Sequence, residues 1–159
     1  MNVKKRNNRL EPFTEEKIKN CVDRCCIDTA GEYYENVDPE AVMLNAKIKL
    51  YDGIPTQEID KALVKSARAL IEIEPNYKYV ASRILLNTIY KEVFGEGVDS
   101  DAFVMQYQAA FILNLKKLIK AGIVNKELAK FDLKLLSQKL KIGRDMDFQY
   151  LGLQTIYDR

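Results

Sequence analysis

The sequence predicts a mainly α-helical protein with a small β-hairpin at its N-terminus. Three observations carry that prediction. Apolar residues recur at three- and four-residue spacing in the segments after Thr14, which is the period of a half-buried helix and not of a strand. Helix-starting residues stand ahead of those segments at Thr14, Asp38-Pro39 and Thr56, and breaks at Gly53 and Pro75 separate them. The opening residues differ: two short extended runs, Val3 to Arg6 and Leu10 to Phe13, flank Asn7-Asn8. Asn tolerates positive φ better than any residue but Gly, so a tight hairpin follows.

After the hairpin, Thr14 stands where an N-cap belongs, with Glu15 and Glu16 in the first turn. The first helix is expected from about Glu15 to Thr29, burying Ile18, Cys21, Val22, Cys25 and Cys26, and Ala30-Gly31 ends it. Glu32 to Val37 reads as a loop. Asp38-Pro39-Glu40 restarts a helix, with Asp as N-cap, Pro at the first helical position and an acid in the first turn. That helix is expected to reach about Tyr51, with Leu44, Ile48 and Tyr51 at helical spacing. Asp52-Gly53-Ile54-Pro55 reads as a turn, after which Thr56 caps a third helix with Ile59, Leu63, Ala67 and Leu70 inward. Asp60 lies one turn beyond Thr56, off that stripe. Pro75 stops the helix. A fourth begins near Asn76 or Tyr77, turns Val80, Ala81, Ile84, Leu85 and Ile89 inward, and reaches Phe94-Gly95, with Lys91 one turn after Asn87.

Gly95-Glu96-Gly97 and Val98-Asp99-Ser100 mark a boundary, so a first domain over 1–93 and a second over 94–159 are expected. Phe103, Tyr107, Phe111, Leu115 and Leu118 then trace a long amphipathic helix, ended by Ala121-Gly122. Its stripe reads as core, and Lys116, Lys117 and Lys120 as a solvated face. Leu128, Phe131, Leu135, Leu136 and Leu140 suggest one or two more helices.

Composition narrows the chemistry. A net charge of +2 over 159 residues exerts no global pull toward nucleic acid or membrane. No run approaches the roughly 20 apolar residues of a membrane span, and the polar N-terminus does not resemble a signal peptide, so the cytoplasm is expected. With no histidine in the chain, Ser-His and Cys-His chemistry is excluded, and the three cysteines make a poor zinc site. They read as small buried hydrophobes, and neither a metal site nor a catalytic residue is expected. The sequence contains no P-loop and no dinucleotide-binding glycine fingerprint.

The candidate site is the hairpin. Lys5 and Arg6 feed into a helix whose first turn carries Lys17, and convergent cations beside a helix start suit a polyphosphate. A solvated basic hairpin is the competing reading.

The same residues carry a family resemblance. Val3-x-Lys5-Arg6, two turn residues, then Glu11 and Lys17-Ile18 resemble the opening of the ATP-cone domain, the adenine-nucleotide-sensing module of ribonucleotide reductases, with Asn8 in place of the usual Gly. Tyr51-Asp52-Gly53-Ile54-Pro55-Thr56, then Pro75-Asn76-Tyr77 with Ala81 and Arg83, and finally Lys91 match further segments in order. Arg144 to Ile156 resembles the stretch entering the catalytic barrel of aerobic reductase large subunits.

The resemblance implies a four-helix cone capped by the hairpin, then a helical segment leading toward an α/β barrel beyond Arg159, where the family's catalytic residues lie. It also implies ATP as activator or dATP as inhibitor, with Mg2+. The positions matching the family's nucleotide contacts are Lys5, Arg6, Glu11, Pro12, Phe13, Thr14, Glu15, Glu16, Lys17, Ile18, Thr56, Asp60 and Lys91. Some members carry His where this chain has Asp60 and Thr88. The implied partners are the rest of the large subunit, a radical-generating small subunit and further copies of itself. Two other functions compete. One is the cone of a nucleotide-responsive repressor, whose Cys-x-x-Cys zinc ribbon would have to precede Val3. The other is a helical interaction module that binds no nucleotide.

Overall fold

A computed structural model describes residues 1–47, 50–95 and 102–159. It is mostly helical, with a small sheet built around the N-terminus. Strand β1 (Asn2–Lys4) pairs antiparallel with β2 (Leu10–Pro12), in the register Val3 opposite Glu11. The connecting turn is closed by Lys5 N–H donating to the Arg9 carbonyl (2.8 Å) and Asn8 N–H to that of Lys5 (2.9 Å). Asn8 takes φ +66°, the left-handed residue of the three-residue loop between Lys5 and Arg9. Lys5 and Arg6 therefore sit at the turn, beyond the end of β1.

Helix α1 (Glu15–Cys25) is four residues shorter than the spacing predicts. Local pairing competes with it: Ile27 bridges to Tyr33, and the Asp28 carboxylate accepts N–H groups from Ala30 (2.7 Å) and Glu32 (3.0 Å). Those bonds, that from Glu32 first, hold the Asp28 carboxyl below its ordinary range. Thr14 occupies the N-cap with extended backbone, but its side chain makes no cap hydrogen bond.

Helix α2 (Pro39–Lys47) starts as expected, the Asp38 carboxylate accepting the Glu40 N–H at 2.8 Å. Its buried face differs from the predicted one. Val42, Met43 and Ala46 are buried, whereas Leu44 is 65% and Tyr51 52% exposed. The neighbours choose the face: α2 packs between α1 and helix α3 (Thr56–Ala69), and the Ser66 hydroxyl donates to the Val42 carbonyl at 2.6 Å. Ile48, the third expected member of that stripe, lies outside the described residues.

The predicted turn at Asp52–Pro55 is half correct. Gly53 turns the chain with φ +79°, but Ile54–Pro55 form a strand, β3, parallel to β1 and completing the order β2-β1-β3. The α3 cap shifts in consequence. Pro55 is the N-cap and Thr56 the first helical residue, so the threonine hydroxyl is not the cap the sequence suggests. Ile59, Leu63 and Ala67 are buried as expected, and Leu70 instead opens a single 3-10 turn, Leu70–Glu72.

Helix α4 (Tyr77–Phe94) buries Val80, Ala81, Ile84 and Leu85, as predicted, together with Tyr77 and Leu86. Polar bonds tie it to earlier segments. Asp38 N–H donates to the Tyr77 hydroxyl (2.9 Å), Arg83 donates to the Ile27 carbonyl (2.6 Å) and the Tyr34 hydroxyl (2.8 Å), and Asn87 donates to the Cys21 sulfur (3.2 Å).

The chain forms two compact units, Met1–Ile89 with Asp145–Arg159, and Tyr90–Arg144. In the first, Leu153 of helix α7 (Tyr150–Tyr157) is buried. In the second, helix α5 (Phe103–Lys120) packs against a 3-10 segment, Lys126–Lys130, and helix α6 (Leu133–Lys139), which Asp132 caps by accepting the Lys134 and Leu135 N–H groups at 3.0 Å each. The expected core stripe of α5 is a correction. None of its residues is buried; Phe103, Tyr107, Phe111 and Leu115 are half-buried and Leu118 is exposed. Phe103 and Tyr107 instead join Tyr90 and Phe94 in a ring cluster with centroids 5.2–6.4 Å apart. The predicted boundary residues Glu96 to Ser100 lie outside the described residues.

Candidate functional site

Parallel pairing of β1 with β3 places Val3 beside Ile54 and Lys4 beside Pro55, so both strands end at the same edge. Beyond β1 the chain continues into Lys5 and Arg6. Beyond β3 it continues into the first turn of α3. Between them lies a cavity of about 210 Å³, lined by Lys4, Lys5, Arg6 and Asn8 from the hairpin and by Pro55, Thr56 and Gln57 from the helix start. Three cations thus face the N-terminal end of a 14-residue helix, whose first N–H groups have no partner within the helix and whose dipole favours negative charge. The donor set fits a phosphate or polyphosphate.

Two carboxylates stand behind the cations. Glu11 approaches Lys5 at 3.6 Å, and Asp60 approaches Arg6 at 3.7 Å. The second pair is sheltered, with side chains 15% and 10% exposed. Asp60 lies one turn along α3 from Thr56 and is buried; it is not among the residues lining the cavity, but its partner Arg6 is. Such a pair places the guanidinium in advance, at the cost of competing with an incoming anion.

The remaining predicted positions are distributed more widely. Pro12, Thr14, Glu16 and Lys17 are exposed, and Phe13 and Ile18 are half-buried. Phe13 N–H extends the strand pairing by donating to the Met1 carbonyl at 3.0 Å. Glu15 lines a different cavity of about 430 Å³, together with Lys19, Asp38, Glu40 and Leu44. Lys91 is half-buried in the last turn of α4 and belongs to the second unit.

Lys4, Asn8, Pro55 and Gln57 line the first cavity although none is among the predicted site residues. Lys4 is legible in retrospect as the start of a three-cation run. Gln57 is not, because nothing in a two-residue strand containing proline announces that it pairs beside β1.

The cavity is smaller than the ~300–1,000 Å³ of a typical small-molecule pocket, a size that suits a phosphate group more than a whole nucleotide. Among the described residues, no group of three or more Cys, Asp or Glu side chains is arranged to hold a metal ion. A divalent ion accompanying a polyphosphate would be held chiefly by the phosphates themselves. None of the described helices is long and apolar enough to cross a membrane.

The cysteines lie apart from the cavity. Cys25 and Cys26 are buried and Cys21 is half-buried, all as free thiols. Contact with the Cys21 thiol, together with burial, pushes Cys25 well up, and burial pushes Cys26 up to about 12.

Comparison with known proteins gives this geometry a context. Residues 1–92 match the ATP cone domain family. The chain is similar to the ribonucleoside-diphosphate reductase subunit alpha of Helicobacter pylori, 33% identical over 159 residues, covering 99% of this chain and 18% of that protein. The subunit alpha of Chlamydia trachomatis is 34% identical over 133 residues, covering 81% of this chain and 12% of that protein. That of Enterobacteria phage T4 is 32% identical over 130 residues, covering 78% and 16%. The chain thus spans less than a fifth of the length of these curated relatives. A family match over more than half of its residues, on a hairpin that presents cations to a helix start, establishes that the chain belongs to the ATP-cone family.

Proposed function

We propose that this chain is the allosteric regulatory part of a ribonucleoside-diphosphate reductase large subunit, binding ATP as activator or dATP as inhibitor to control the reduction of ribonucleotides to deoxyribonucleotides. The supporting observation is the cavity in which Lys4, Lys5 and Arg6 meet the N-terminus of α3. The cations share the phosphate charge, Mg2+ travels with the nucleotide, and Thr56 contributes its hydroxyl at the rim. Asp60 sets the position of Arg6. Residues 1–93 act as the nucleotide module and residues 94–159 as the helical start of the catalytic region, in a cytoplasmic enzyme. The partners are the rest of the large subunit, a radical-generating small subunit and further copies. The two effectors differ by one sugar hydroxyl, worth roughly 1–3 kcal/mol where it leaves a buried partner unpaired, which is sufficient to bias a balanced two-state assembly.

Calorimetric titration with ATP and dATP tests the reading. Charge-assisted contacts dominate phosphate sites, so Lys5→Glu is expected to weaken ATP binding by about tenfold or more. Lys91→Glu tests in the same way whether the end of α4 contributes. Far-UV circular dichroism should remain at wild type in both variants. Wild-type affinity in both would place the nucleotide elsewhere.

A further inference from the structure

The second unit differs in charge from the rest of the chain. Tyr90–Arg144 carries ten Lys and Arg against six acids, an excess of four, whereas the whole chain carries only +2; within it, residues 102–144 carry nine Lys and Arg against two acids. One of those two acids, Asp132, is committed to capping α6 through the Lys134 and Leu135 N–H groups, and the other, Glu127, pairs with Lys130.

This basic unit contains a groove of about 650 Å³ between α5 and α6. Met105 and Ile112 of α5, with Phe131 and Leu133 at the start of α6, form its apolar lining; its charged members are Lys116, Lys134 and Asp132, whose carboxylate is taken up by the α6 cap. Met105 is 74% and Phe131 59% exposed, so large apolar side chains face solvent there. Both lysines are exposed as well.

We infer that the groove of Met105, Ile112, Phe131 and Leu133, edged by Lys116 and Lys134, is a docking site for an acidic amphipathic helix of a partner polypeptide. Charge complementarity selects the occupant. An apolar trough between two helices receives the apolar face of a third, and acidic residues flanking that face meet the lysines. A nucleic acid would make no use of an apolar floor, and single-stranded binding asks for a row of stacking aromatic rings. A membrane surface favours an apolar face that projects into it, and here the apolar residues line a concavity. The inference does not depend on the nucleotide reading, because the groove lies wholly within the second unit.

The test uses the 159-residue chain and a fluorescein-labelled synthetic helix of about four turns, with Leu on one face and Glu on the others, followed by anisotropy. Saturable binding is expected, lost when Gln replaces Glu or Ala replaces Leu in the peptide. Lys116→Glu combined with Lys134→Glu should weaken it by about tenfold or more, and Met105→Glu, at an exposed position, should weaken it comparably. Lys117→Glu changes the charge by the same amount as Lys116→Glu alone, on the same helix but without lining the groove, and should leave the affinity within about twofold.

Equal binding of the Gln peptide, or an equal loss in Lys117→Glu, would overturn the proposal in favour of diffuse electrostatics. Stronger binding of double-stranded RNA or phosphatidylserine vesicles, abolished by the same groove variants, would assign the surface to those partners instead. A dimer in sedimentation velocity that Met105→Glu dissolves would assign it to a second copy. ATP titration of each variant shows independently whether the first unit is intact.

Discussion

Helices α4 and α5 have the same length, 18 residues, and nearly the same apolar content, eleven residues against twelve. Eight side chains of α4 are buried and none of α5. The difference lies in what surrounds each helix. Tyr77, Arg83 and Asn87 fasten α4 to the Asp38 backbone, the Ile27 carbonyl and Cys21, so its apolar face lies within an enclosed core. α5 packs on two short elements, a 3-10 segment and a seven-residue helix, which are too small to cover it. Periodicity reports that a helix has an apolar face and says nothing about whether that face is covered.

Core truncation tests the comparison most strongly. Ile84→Ala on α4 removes a side chain that is 2% exposed and should cost about 2–5 kcal/mol in urea denaturation. Phe111→Ala on half-buried α5 should cost clearly less, although it removes more atoms. Equal losses would mean that α5 is enclosed after all.

The next largest effect concerns the sheltered ion pair of the first unit. Asp60→Asn removes the carboxylate 3.7 Å from the Arg6 guanidinium and should lower stability by about 1–3 kcal/mol. If phosphate takes the place of that carboxylate, saturating ATP should recover most of the loss in a thermal melt. A deficit unchanged by ATP would separate Arg6 from the nucleotide site.

Helix caps give a smaller contrast between the units. Asp132 accepts two N–H groups at the start of α6, so Asp132→Ala should cost about 0.5–2 kcal/mol. Thr14 makes no such bond, so Thr14→Ala should change stability by a few tenths of a kcal/mol at most. Chemical denaturation of the two variants side by side would reverse the assignment if Thr14→Ala proved the costlier.

The effect that is smallest near neutral pH is a pH dependence. Burial raises the Cys26 thiol to about 12, so folding favours its neutral form. That contribution is fully present below the unfolded thiol value of about 8.5 and is lost as pH climbs from there toward 12. Iodoacetamide at pH 8 should therefore modify half-buried Cys21 first, with Cys25 and Cys26 reacting only on unfolding. Rapid labelling of Cys26 in the native chain would show that it is not enclosed.

The site was legible in part. Lys5 and Arg6 announce themselves by their charge next to Asn7-Asn8, and Thr56 by its place at a helix start. That they line one cavity depends on β3, which the sequence presents only as a turn. Glu15 is grouped with them by the family resemblance; in the structure it opens α1 and lines another cavity.

Local chemistry settled what is local. The left-handed turn residue, the Asp38-Pro39 restart, the Gly122 stop and the helical period are properties of neighbouring residues, and the sequence alone determined them. The parallel pairing of Val3 with Ile54, the choice of Val42, Met43 and Ala46 over Leu44 as the buried face of α2, and the partial exposure of α5 were decided only by the tertiary structure. Each depends on a partner far away in sequence: a strand edge gains hydrogen bonds only from the strand that reaches it, and an apolar face is buried only by what packs against it.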